Sequence, residues 1–454
     1  MEENKVHIVN VSTFPPRRCG IGSFAKDMLE NLGNDNWMTC PIVWEPGKTS
    51  YHPDHINHIL TEIDQNKDDS YDKGAYAVVE RIQYLRKHGR DGGCYINHEN
   101  GIFADQHTRD NAVRFVEILS DAGIATAIVG HTVLYDSNHL DFEQKREVLG
   151  GMMKKASKFI CLTPSVIHTL TDESKYGERF GFGRGKLIYI AHGIPDIHIP
   201  EKREELKKEY DFVNEQGKSK ILYTSVGYLS RGKGLEYLIE GYSMVLDRRE
   251  DRDRIAVLIA GSTHPDVLRD EGEAYREELV ELAKSKKNIN GVIVTRDNEG
   301  KSNITDLYGV KVGDLKGANL VFLNTHVPDS ELLRIMKMSD CGIVVNTGRN
   351  QISSGPGAYW IGSSRITIAT ESPFFKDMED QGIGLLVPFD DPEAIADRMN
   401  HVADISMSFD GKDEVEFIAS DFGVVNPWSN VGPRYYNLMR KLVQHKAGLR
   451  NGAE

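Results

Sequence analysis

Short apolar runs rich in Ile, Val, Tyr and Ala recur along this chain, and amphipathic stretches of helical length separate them. The alternation is typical of α/β proteins with parallel sheets, whose strands are buried on both faces. In the first part of the chain it predicts six strands, at residues 5–11, 38–44, 94–97, 125–130, 158–162 and 187–190. Loops and helix N-termini are therefore expected directly after these strands.

The strand pattern restarts after a charged stretch at residues 201–218. The second series predicts seven strands, at residues 220–225, 254–260, 291–295, 320–323, 341–345, 366–370 and 385–388. Two series of this size indicate two doubly wound, Rossmann-like domains rather than one very wide sheet. We therefore predict an α/β protein with domains at residues 1–200 and 215–425.

Two further stretches stand apart from the strand pattern. Residues 428–445 place apolar side chains such as Val431 and Tyr435 at helical spacing, which predicts a crossover helix packed back on the first domain. Residues 296–319 are polar, contain glycine and exceed the usual connection of about 4–6 residues. This second stretch is interpreted as an insertion, without an assigned role.

Composition narrows the class of protein. The chain has 454 residues, 39% of them hydrophobic and 27% charged, which suits a folded protein of two or three domains. The formal charge of −13 opposes affinity for phosphate backbones, so nucleic acid is not an expected partner. No apolar run reaches the roughly 18–20 residues of a transmembrane segment, and no signal peptide is recognised. A cytoplasmic location is predicted.

The cysteines also exclude two classes of site. Five cysteines are widely spaced and form no Cys-x-x-Cys pair. Disulfide scaffolds and cysteine-based zinc sites need paired, closely spaced cysteines. Neither is predicted here.

A glycine-containing loop follows the first predicted strand. Gly20 and Gly22 allow the backbone to approach a ligand closely, Ser23 is placed to cap the next helix, and Arg17 and Arg18 add positive charge. These features favour an anionic ligand. The alternative is an ordinary strand-to-helix turn with solvated arginines.

Ionisable residues follow three other strands of the first domain. His98 and Glu99 follow the third strand, His131 follows the fourth, and His192 follows the last. Burying such groups without partners costs a few kcal/mol, so their place at strand ends favours a role in a cleft. Histidines with purely structural partners are the alternative.

Two loops of the second domain suit phosphate groups. Arg231 and Lys233 lie just before a predicted helix at residues 236–246, where a guanidinium fork and an ammonium can grip a pyrophosphate. The spacing is not that of a P-loop. Farther along, small residues before a helical stretch form a predicted anion nest: Ser353, Ser354 and Gly355.

With these motifs in place, the chain resembles the retaining nucleotide-sugar glycosyltransferases of the GT-B fold, family 4 (glycosyl transferases group 1). It is most similar to a subgroup with Pro-Pro-Arg-Arg-Cys-Gly-Ile near the start, here at residues 15–21. The resemblance runs along nearly the whole chain. Its other motifs stand at residues 98–103, 131–133, 192–196, 232–236, 263–265, 271–276, 388–394 and 428–435.

The resemblance implies a division of roles between two domains that face an interdomain cleft. It implies a nucleotide-sugar donor held mainly by the C-terminal domain and a carbohydrate acceptor held mainly by the N-terminal one. Gly20 and Gly22 would approach the donor diphosphate, Arg231 and Lys233 would neutralise it as it leaves, and His131 would lie near the donor sugar. The scheme requires neither a metal nor a cofactor.

The same resemblance implies roles for the remaining candidate residues. The chain also differs from the family pattern at two places. Arg18, His98, Glu99 and His192 would line the acceptor side or the cleft. Many family members carry a Glu-x7-Glu pair next to the nest, whereas this chain has Gln351 and Tyr359 in those positions. These two side chains, with Ser353, Ser354 and Gly355, are assigned to the donor. Tyr228 stands where the family often has an arginine.

The expected function is retaining transfer of a hexose, mannose or glucose first, from a GDP- or UDP-linked donor to a saccharide or small polyol. Two alternatives stay open because the charged donor pair is absent. One is a catalytically silent protein that binds a sugar or nucleotide, and the other is an enzyme of another class, such as a nucleotide-sugar epimerase. The sequence also leaves open whether the chain forms a homo-oligomer.

Overall fold

The computed structural model describes residues 5–99, 101–103, 111–195, 199–296, 301–307, 309, 315–379, 384–407 and 426–451. The chain divides into two compact units. Unit 1 comprises Met1–Gly193, Asn350–Gly355 and Asn426–Glu454, and unit 2 comprises Ile194–Arg349 and Pro356–Val425. The sequence assigned residues 194–200 to the first domain and residues 350–355 to the second, and the structure groups both segments the other way.

Unit 1 contains a seven-stranded sheet in which every neighbouring pair of strands is parallel. The strand order is β3-β2-β1-β4-β5-β6-β7. Its strands are β1 (His7–Ser12), β2 (Trp37–Val43), β3 (Ile63–Asp64), β4 (Gly92–His98), β5 (Ala125–Gly130), β6 (Lys158–Cys161) and β7 (Leu187–Tyr189). Its helices are α1 (Gly20–Glu30), α2 (Pro53–Ile56), α3 (Asp68–Lys87), α4 (Asn111–Asp121), α5 (Phe142–Lys155), α6 (Pro164–Thr171) and, at the end of the described chain, α15 (Trp428–Asn451).

Helix α15 completes one face of this sheet, as the spacing of its apolar residues predicts. Trp428, Val431, Tyr435 and Met439 are buried in an apolar cluster with residues of β1, β4 and α1. The Tyr95 hydroxyl donates to the Tyr435 carbonyl over 2.6 Å, which ties the helix to β4. The helix therefore belongs to the core of unit 1.

Unit 2 contains an eight-stranded sheet with the order β11-β10-β12-β9-β8-β13-β14-β15. Its strands are β8 (Ile221–Val226), β9 (Ile255–Ala260), β10 (Gly291–Arg296), β11 (Ser302–Asp306), β12 (Leu320–Leu323), β13 (Cys341–Val344), β14 (Ile366–Thr370) and β15 (Leu385–Val387). Its helices are α7 (Arg203–Glu209), α8 (Leu235–Arg248), α9 (Pro265–Glu271), α10 (Ala274–Ser285), α11 (Asp329–Met338), α12 (Gly355–Gly362), α13 (Pro373–Glu379) and α14 (Pro392–Met407).

All thirteen predicted strands are present, and the α/β class with two parallel sheets is confirmed. Two strands were missed. Strand β3 has only two residues, and β11 is a polar edge strand that pairs antiparallel with β10. Strand β11 lies inside the predicted insertion at 296–319, of which residues 297–300, 308 and 310–314 fall outside the described residues.

Apolar side chains cover both faces of each sheet, which is why the strands read as continuous apolar runs. Among the helices that the structure describes, none combines the length and the apolar character needed to cross a bilayer.

Candidate functional site

Helix α1 starts directly after the loop that follows β1, and its N-terminus carries the predicted Gly-x-Gly motif. The helix begins at Gly20, and Cys19 occupies the N-cap position without a side-chain hydrogen bond. The prediction that Ser23 caps this helix is therefore wrong, because Ser23 lies inside the first turn. No acidic side chain lies in that turn. Its amides and the positive end of the helix dipole suit an anion.

The two glycines of this motif differ in their surroundings. A Cβ atom at Gly22 would lie 3.4 Å from the backbone of Phe14, whereas one at Gly20 would meet no atom within 4 Å. Gly22 is buried and Gly20 is exposed. Close packing explains Gly22, and only Gly20 has open space beside it.

The two arginines that precede the helix also differ in their contacts. The Arg17 Nη1 donates to the Ile42 carbonyl over 3.1 Å and to Gln65 Oε1 over 2.6 Å, and its guanidinium lies over the ring of Trp44. Arg18 is exposed. Arg17 is thus held as part of the scaffold, and Arg18 remains the candidate for contact with a ligand.

A row of buried polar side chains crosses the sheet of unit 1 and ends at His131. Asn10 Nδ2 donates to Thr39 Oγ1 over 3.3 Å, and Asn97 Nδ2 donates to Asn10 Oδ1 over 2.7 Å. Asn97 Oδ1 then lies 2.9 Å from His131 Nε2. Since the Asn97 amide nitrogen is already used as a donor, His131 Nε2–H is the donor in this last bond. The row fixes the tautomer and the orientation of the imidazole.

His131 is 7% exposed, and Phe24 meets it edge-on at 4.7 Å between ring centroids. Burial, assisted by the nearby His192 and His98, lowers the pKa of His131 to about 3. The ring is therefore neutral near pH 7 and does not act as a general acid there. With Nε2 donating to Asn97, Nδ1 is left as a hydrogen-bond acceptor.

The other predicted residues of unit 1 lie around this row. His98 is fully buried and stacks on Phe103 at 5.6 Å, and burial lowers its pKa to about 4. Glu99 accepts a hydrogen bond from the Thr132 hydroxyl. Burial likewise lowers the pKa of His192 to about 4; its Nδ1 lies 2.6 Å from the Gly193 carbonyl, and its ring packs against Phe24.

Neither ring nitrogen of His98 has a hydrogen-bond partner among the described residues. Unpartnered buried nitrogens are unusual in a purely structural histidine. His192, by contrast, has the contacts of a packed core residue. The roles of both residues, and of Glu99, on the acceptor side stay predictions.

The segment at residues 350–355 is fastened to the loop after β5. Asn350 Oδ1 accepts from the amides of Tyr135 and Asp136 over 2.7 and 3.1 Å. Gln351 forms an antiparallel bridge with Thr132, and the Ser353 hydroxyl donates to the His131 carbonyl over 3.2 Å. These bonds place the segment in unit 1, although it lies far along the chain. Three predicted residues, His131, Gln351 and Ser353, therefore share one region.

The remaining nest residues mark the change from unit 1 to unit 2. Ser354 is buried, and Gly355 begins α12 with open space at its Cβ position. Pro356 follows and has no amide hydrogen, so this helix start offers fewer donors than a nest of small residues implies. Tyr359 is half-buried against an apolar cluster of unit 2.

In unit 2 the predicted phosphate loop lies between β8 and α8, and it holds Arg231 and Lys233 in different ways. Arg231 is paired with carboxylates: its Nε donates to Glu271 over 3.0 Å, and its two Nη atoms donate to Glu278 over 2.6 and 2.8 Å. These bonds raise its pKa further above the usual range. As an exposed, doubly paired cation, Arg231 is less available to a ligand than the sequence predicts.

Lys233 has no such partner. Its side chain is half-buried, and its ammonium makes no ion pair or hydrogen bond to the parts of the chain that the structure describes. Burial lowers its pKa, which means that the charged form is desolvated without compensation. An anion next to Lys233 would supply the missing counter-charge.

A second motif, at residues 271–276, braces this loop. The Tyr275 hydroxyl accepts from the Leu235 amide over 3.2 Å and donates to Glu236 over 2.6 Å. Glu273 accepts from the Thr263 hydroxyl and from Arg276 Nε. The motif thus connects the start of α8 to the loop after β9.

Sequence reasoning did not group three aromatic side chains of unit 2, although it singled out Tyr228 and the motif at residues 263–265 separately. Tyr228, His264 and His326 follow β8, β9 and β12, which are neighbours in the sheet. The Tyr228 ring lies 5.5 Å from His264 edge-on and 6.0 Å from His326 at an interplanar angle of 10°. Knowledge of the strand order was needed to bring these residues together. Aromatic faces of this kind suit a planar ring.

Within the described ranges, no three His, Cys, Asp or Glu side chains come together in a metal-binding arrangement. His52, His55 and His58 illustrate this. Their sequence spacing of three residues brings no shared metal site, because His55 is buried and bonded to Glu30 over 2.8 Å and His58 stacks on Trp37. That no metal is required stays a prediction.

Comparison with solved structures gives many matches. The HepE protein of Anabaena in complex with UDP matches with a TM-score of 0.65 and 11% identity, covering 96% of this chain and 100% of that chain. A glycosyltransferase from Rickettsia africae matches at 0.64 and 14%, covering 97% and 99%. Sucrose-phosphate synthase from Thermosynechococcus elongatus matches at 0.63 and 13%, covering 96% and 99%.

These matches show that the chain has the GT-B fold. No protein-family model matches the chain, and no curated protein sequence does. Assignment to family 4 and to the subgroup with the residue 15–21 motif stays a prediction.

Proposed function

We propose that this chain is a glycosyltransferase that moves a hexose from a nucleotide-sugar donor to a saccharide or small polyol. In this proposal unit 2 holds the donor nucleotide and unit 1 holds the acceptor. Retention of configuration and membership of family 4 are carried over from the sequence resemblance. Among the structural matches, HepE was solved with UDP and with UDP-glucose, so a UDP-hexose is the first donor to test.

Lys233 is the observation that carries the proposal. A half-buried ammonium with no partner among the described residues lies at the start of α8, in a loop at the carboxyl end of a parallel sheet. Ligands of doubly wound domains bind at this edge. A diphosphate would replace the lost hydration of Lys233 with a charge-assisted contact.

The chemistry asked of the chain is mainly electrostatic. As the bond between the sugar C1 and the diphosphate oxygen breaks, negative charge grows on the leaving group, and Lys233 would stabilise it. The first-turn amides of α1, at Gly20 and Gly22, are proposed as further donors to the diphosphate. Arg231 can stabilise the leaving group only if it releases one of its carboxylate partners and binds the diphosphate instead.

His131 is proposed to position the donor sugar. Because the ring is neutral and its Nε2–H is committed to Asn97, its Nδ1 can accept a hydrogen bond from a sugar hydroxyl. The rings of Tyr228, His264 and His326 are proposed to contact the nucleotide base by stacking.

The test is release of nucleoside diphosphate from UDP-, GDP- and ADP-hexoses, with and without sugar acceptors. Acceptor-stimulated release from one donor is expected, with kcat/KM reduced by about 100-fold in Lys233→Ala. Lys284→Ala, which removes a lysine that is paired with Glu281 elsewhere in unit 2, serves as the matched control. Equal turnover in Lys233→Ala and wild type would refute the role of Lys233.

A second candidate function is a catalytically silent nucleotide- or sugar-binding protein. Gln351 and Tyr359 favour it, because neither side chain supplies the charge of the carboxylates that many relatives carry. UDP binding that Lys233→Ala weakens, without turnover of any donor, would support this candidate and exclude the transferase for the acceptors tried.

A further inference from the structure

The turn that carries Lys233 is fastened on both sides to one helix, α10. On the upstream side, the two Nη atoms of Arg231 donate to Glu278 over 2.6 and 2.8 Å. The same guanidinium lies over the ring of Tyr275, with its Cζ atom 5.6 Å from the ring centroid. On the downstream side, the Leu235 amide donates to the Tyr275 hydroxyl over 3.2 Å. Each attachment is two residues away from Lys233 along the chain.

Helix α10 is itself anchored to the sheet. Tyr275 and Leu279 are buried in the apolar core of unit 2. Arg276 is 6% exposed, and its Nη2 donates to the Gly261 carbonyl over 3.3 Å and to the Thr263 hydroxyl over 3.2 Å. Because Gly261 directly follows β9, these bonds tie the start of α10 to the carboxyl edge of the sheet. The helix is therefore a fixed base for the turn.

The middle of the turn has a contact of its own. The Gly232 carbonyl accepts from the Thr347 amide over 3.0 Å, and Thr347 lies in the loop after β13. The backbone around Lys233 is thus held at residues 231, 232 and 235. The Lys233 ammonium, by contrast, makes no ion pair or hydrogen bond to the residues that the structure describes. It is placed by its backbone and stays open to an anion.

We propose that Arg231 and Tyr275 are positioning residues that hold Lys233 in place for the donor diphosphate, and that neither of them contacts the donor. The inference rests on the proposed role of Lys233, and it gives a task to the motif at residues 271–276. A group that stabilises a leaving group must be held within about 0.5 Å of its working position. Contact of Arg231 with the donor would require breaking its bonds to carboxylates, whereas a positioning role uses those bonds as they stand.

The first measurement is the affinity for UDP, determined by calorimetry on the full chain. Arg231→Ala should weaken binding by about three- to fivefold, and Tyr275→Phe by at least about fivefold, because each removes one attachment of the turn. Arg248→Ala is the matched control for the arginine. It removes an exposed guanidinium that is also paired with two carboxylates of unit 2, those of Glu393 and Asp397, and should leave the affinity unchanged.

Tyr242→Phe is the matched control for the tyrosine. It removes a buried hydroxyl that donates to the carbonyls of Ile255 and Asn319 over 3.1 and 2.9 Å, at a distance from the Lys233 turn along α8. The variant should melt at a lower temperature than the wild type and bind UDP equally well. Equal losses of affinity in Tyr242→Phe and Tyr275→Phe would reduce the effect to general destabilisation and overturn the proposal.

A double-mutant cycle shows whether the two residues act through Lys233. In the Lys233→Ala background, Arg231→Ala and Tyr275→Phe should cause no further loss of UDP affinity, because the group that they position is absent. A further loss in that background would indicate contact with UDP itself or a wider structural effect. Either would overturn the proposal.

Exchanging the two charges separates positioning from direct contact. Arg231→Glu combined with Glu278→Arg restores the attachment to α10 with its polarity reversed, so the double variant should recover most of the affinity that Arg231→Ala loses. If Arg231 bound the diphosphate instead, a carboxylate at its position would repel the ligand. The double variant would then bind UDP more weakly than Arg231→Ala, which contradicts the proposal.

Hydrogen exchange tests the attachment without any nucleotide. In Tyr275→Phe the Leu235 amide loses its acceptor, so amides of residues 231–238 should exchange at least about tenfold faster than in the wild type or in Tyr242→Phe. Unchanged exchange would overturn the attachment itself. Failure of the wild type to bind UDP would instead overturn the proposed role of Lys233, so the two failures are distinguishable.

Discussion

His131 ends a line of hydrogen bonds that starts three strands away, at Thr39. Each bond uses one donor and one acceptor, and donation runs from His131 to Asn97, from Asn97 to Asn10 and from Asn10 to Thr39. Asn97 is fully buried and has neighbours on both sides. The state of the imidazole therefore depends on an amide that does not itself reach solvent.

Replacing Asn97 with alanine should break the line at its centre. His131 Nε2–H and Asn10 Oδ1 would both lose a partner in a buried environment, at a cost of about 1–3 kcal/mol for each group. Urea unfolding should show the lower free energy of unfolding. Asn437→Ala makes the same change at an exposed position of α15 and should be close to neutral. Equal destabilisation by both variants would contradict the role of the line.

Buried neutral histidines also predict how stability depends on pH. The pKa of His98 is lowered to about 4 in the folded chain, against about 6.5 in an unfolded one. Between these values the unfolded state binds more protons, so the free energy of unfolding decreases as the pH falls from about 6.5 towards 4. For His98 alone the full effect is about 3 kcal/mol.

His98→Phe keeps an aromatic ring against Phe103 and removes this titration. The urea midpoint of the variant should change less between pH 7 and pH 4.5 than that of the wild type. His401→Phe, at an exposed position in α14, should leave the wild-type slope unchanged. A slope for His98→Phe as steep as the wild-type slope would show that His98 does not carry the effect.

For single residues, the sequence was most informative about ionisable side chains that directly follow a predicted strand. The sequence singled out His98, His131 and Lys233 by their position, and the structure places them in buried or half-buried surroundings. Their roles stay predictions. Asn10 and Thr39 were missed, because only the strand order brings β2, β1 and β4 side by side. The pairing of Arg231 with Glu278 was missed for the same kind of reason, since the two residues are distant in sequence.

Among the elements, α8 shows how a helix start is fixed next to a candidate site. Gly234 precedes the helix with φ +61°, and a Cβ atom there would lie 2.3 Å from the Val345 carbonyl oxygen. A side chain is therefore disfavoured both by backbone conformation and by lack of space. The glycine lets the loop with Lys233 pass close to the end of β13.

Gly234→Ala should lower the free energy of unfolding by about 1–3 kcal/mol. It should also weaken binding of UDP, because the Lys233 loop would be displaced. Gly232→Ala is a close control in the same turn, since a Cβ atom there meets nothing within 4 Å. Thermal unfolding with and without UDP measures both effects. The two variants behaving alike would argue against the steric account.

The elements themselves were largely predictable, and the two missed strands show where the pattern fails. Strand β3 is too short to display any periodicity. Strand β11 reads Ser-Asn-Ile-Thr-Asp, is half-exposed and pairs only along one edge. A strand appears in the sequence as a continuous apolar run only when both of its faces are buried, and β11 is not buried on both faces.

On the scale of the whole molecule, unit 1 is assembled from three separate stretches of the chain. Residues 350–355 join it through backbone and side-chain hydrogen bonds, and residues 426–451 join it through a buried apolar face. The sequence predicted the second of these from helical spacing. It did not predict the first, because polar contacts such as that of Asn350 leave no periodic signal.

Residues 1–193 alone should not form a stable unit 1. Without α15, the face of the sheet that packs on Trp428, Tyr435 and Met439 would be exposed to water. Joining residues 426–454 to this fragment by a flexible linker should restore cooperative thermal unfolding, which circular dichroism would measure. A linked Tyr435→Ala fragment should melt lower by several degrees. Cooperative unfolding of residues 1–193 by themselves would contradict this account.

The placement of α15 has a consequence during synthesis. All strands of unit 1 have been synthesised once the chain reaches Gly193. Trp428, the first residue of α15, is added another 235 residues later. At about 5–20 residues per second, this delay amounts to roughly 10–50 s. Throughout that interval the nascent chain presents an uncovered apolar sheet face, which is a surface that chaperones recognise. We therefore expect the yield of folded protein to fall when chaperones that bind nascent chains are depleted, even if the finished protein is stable.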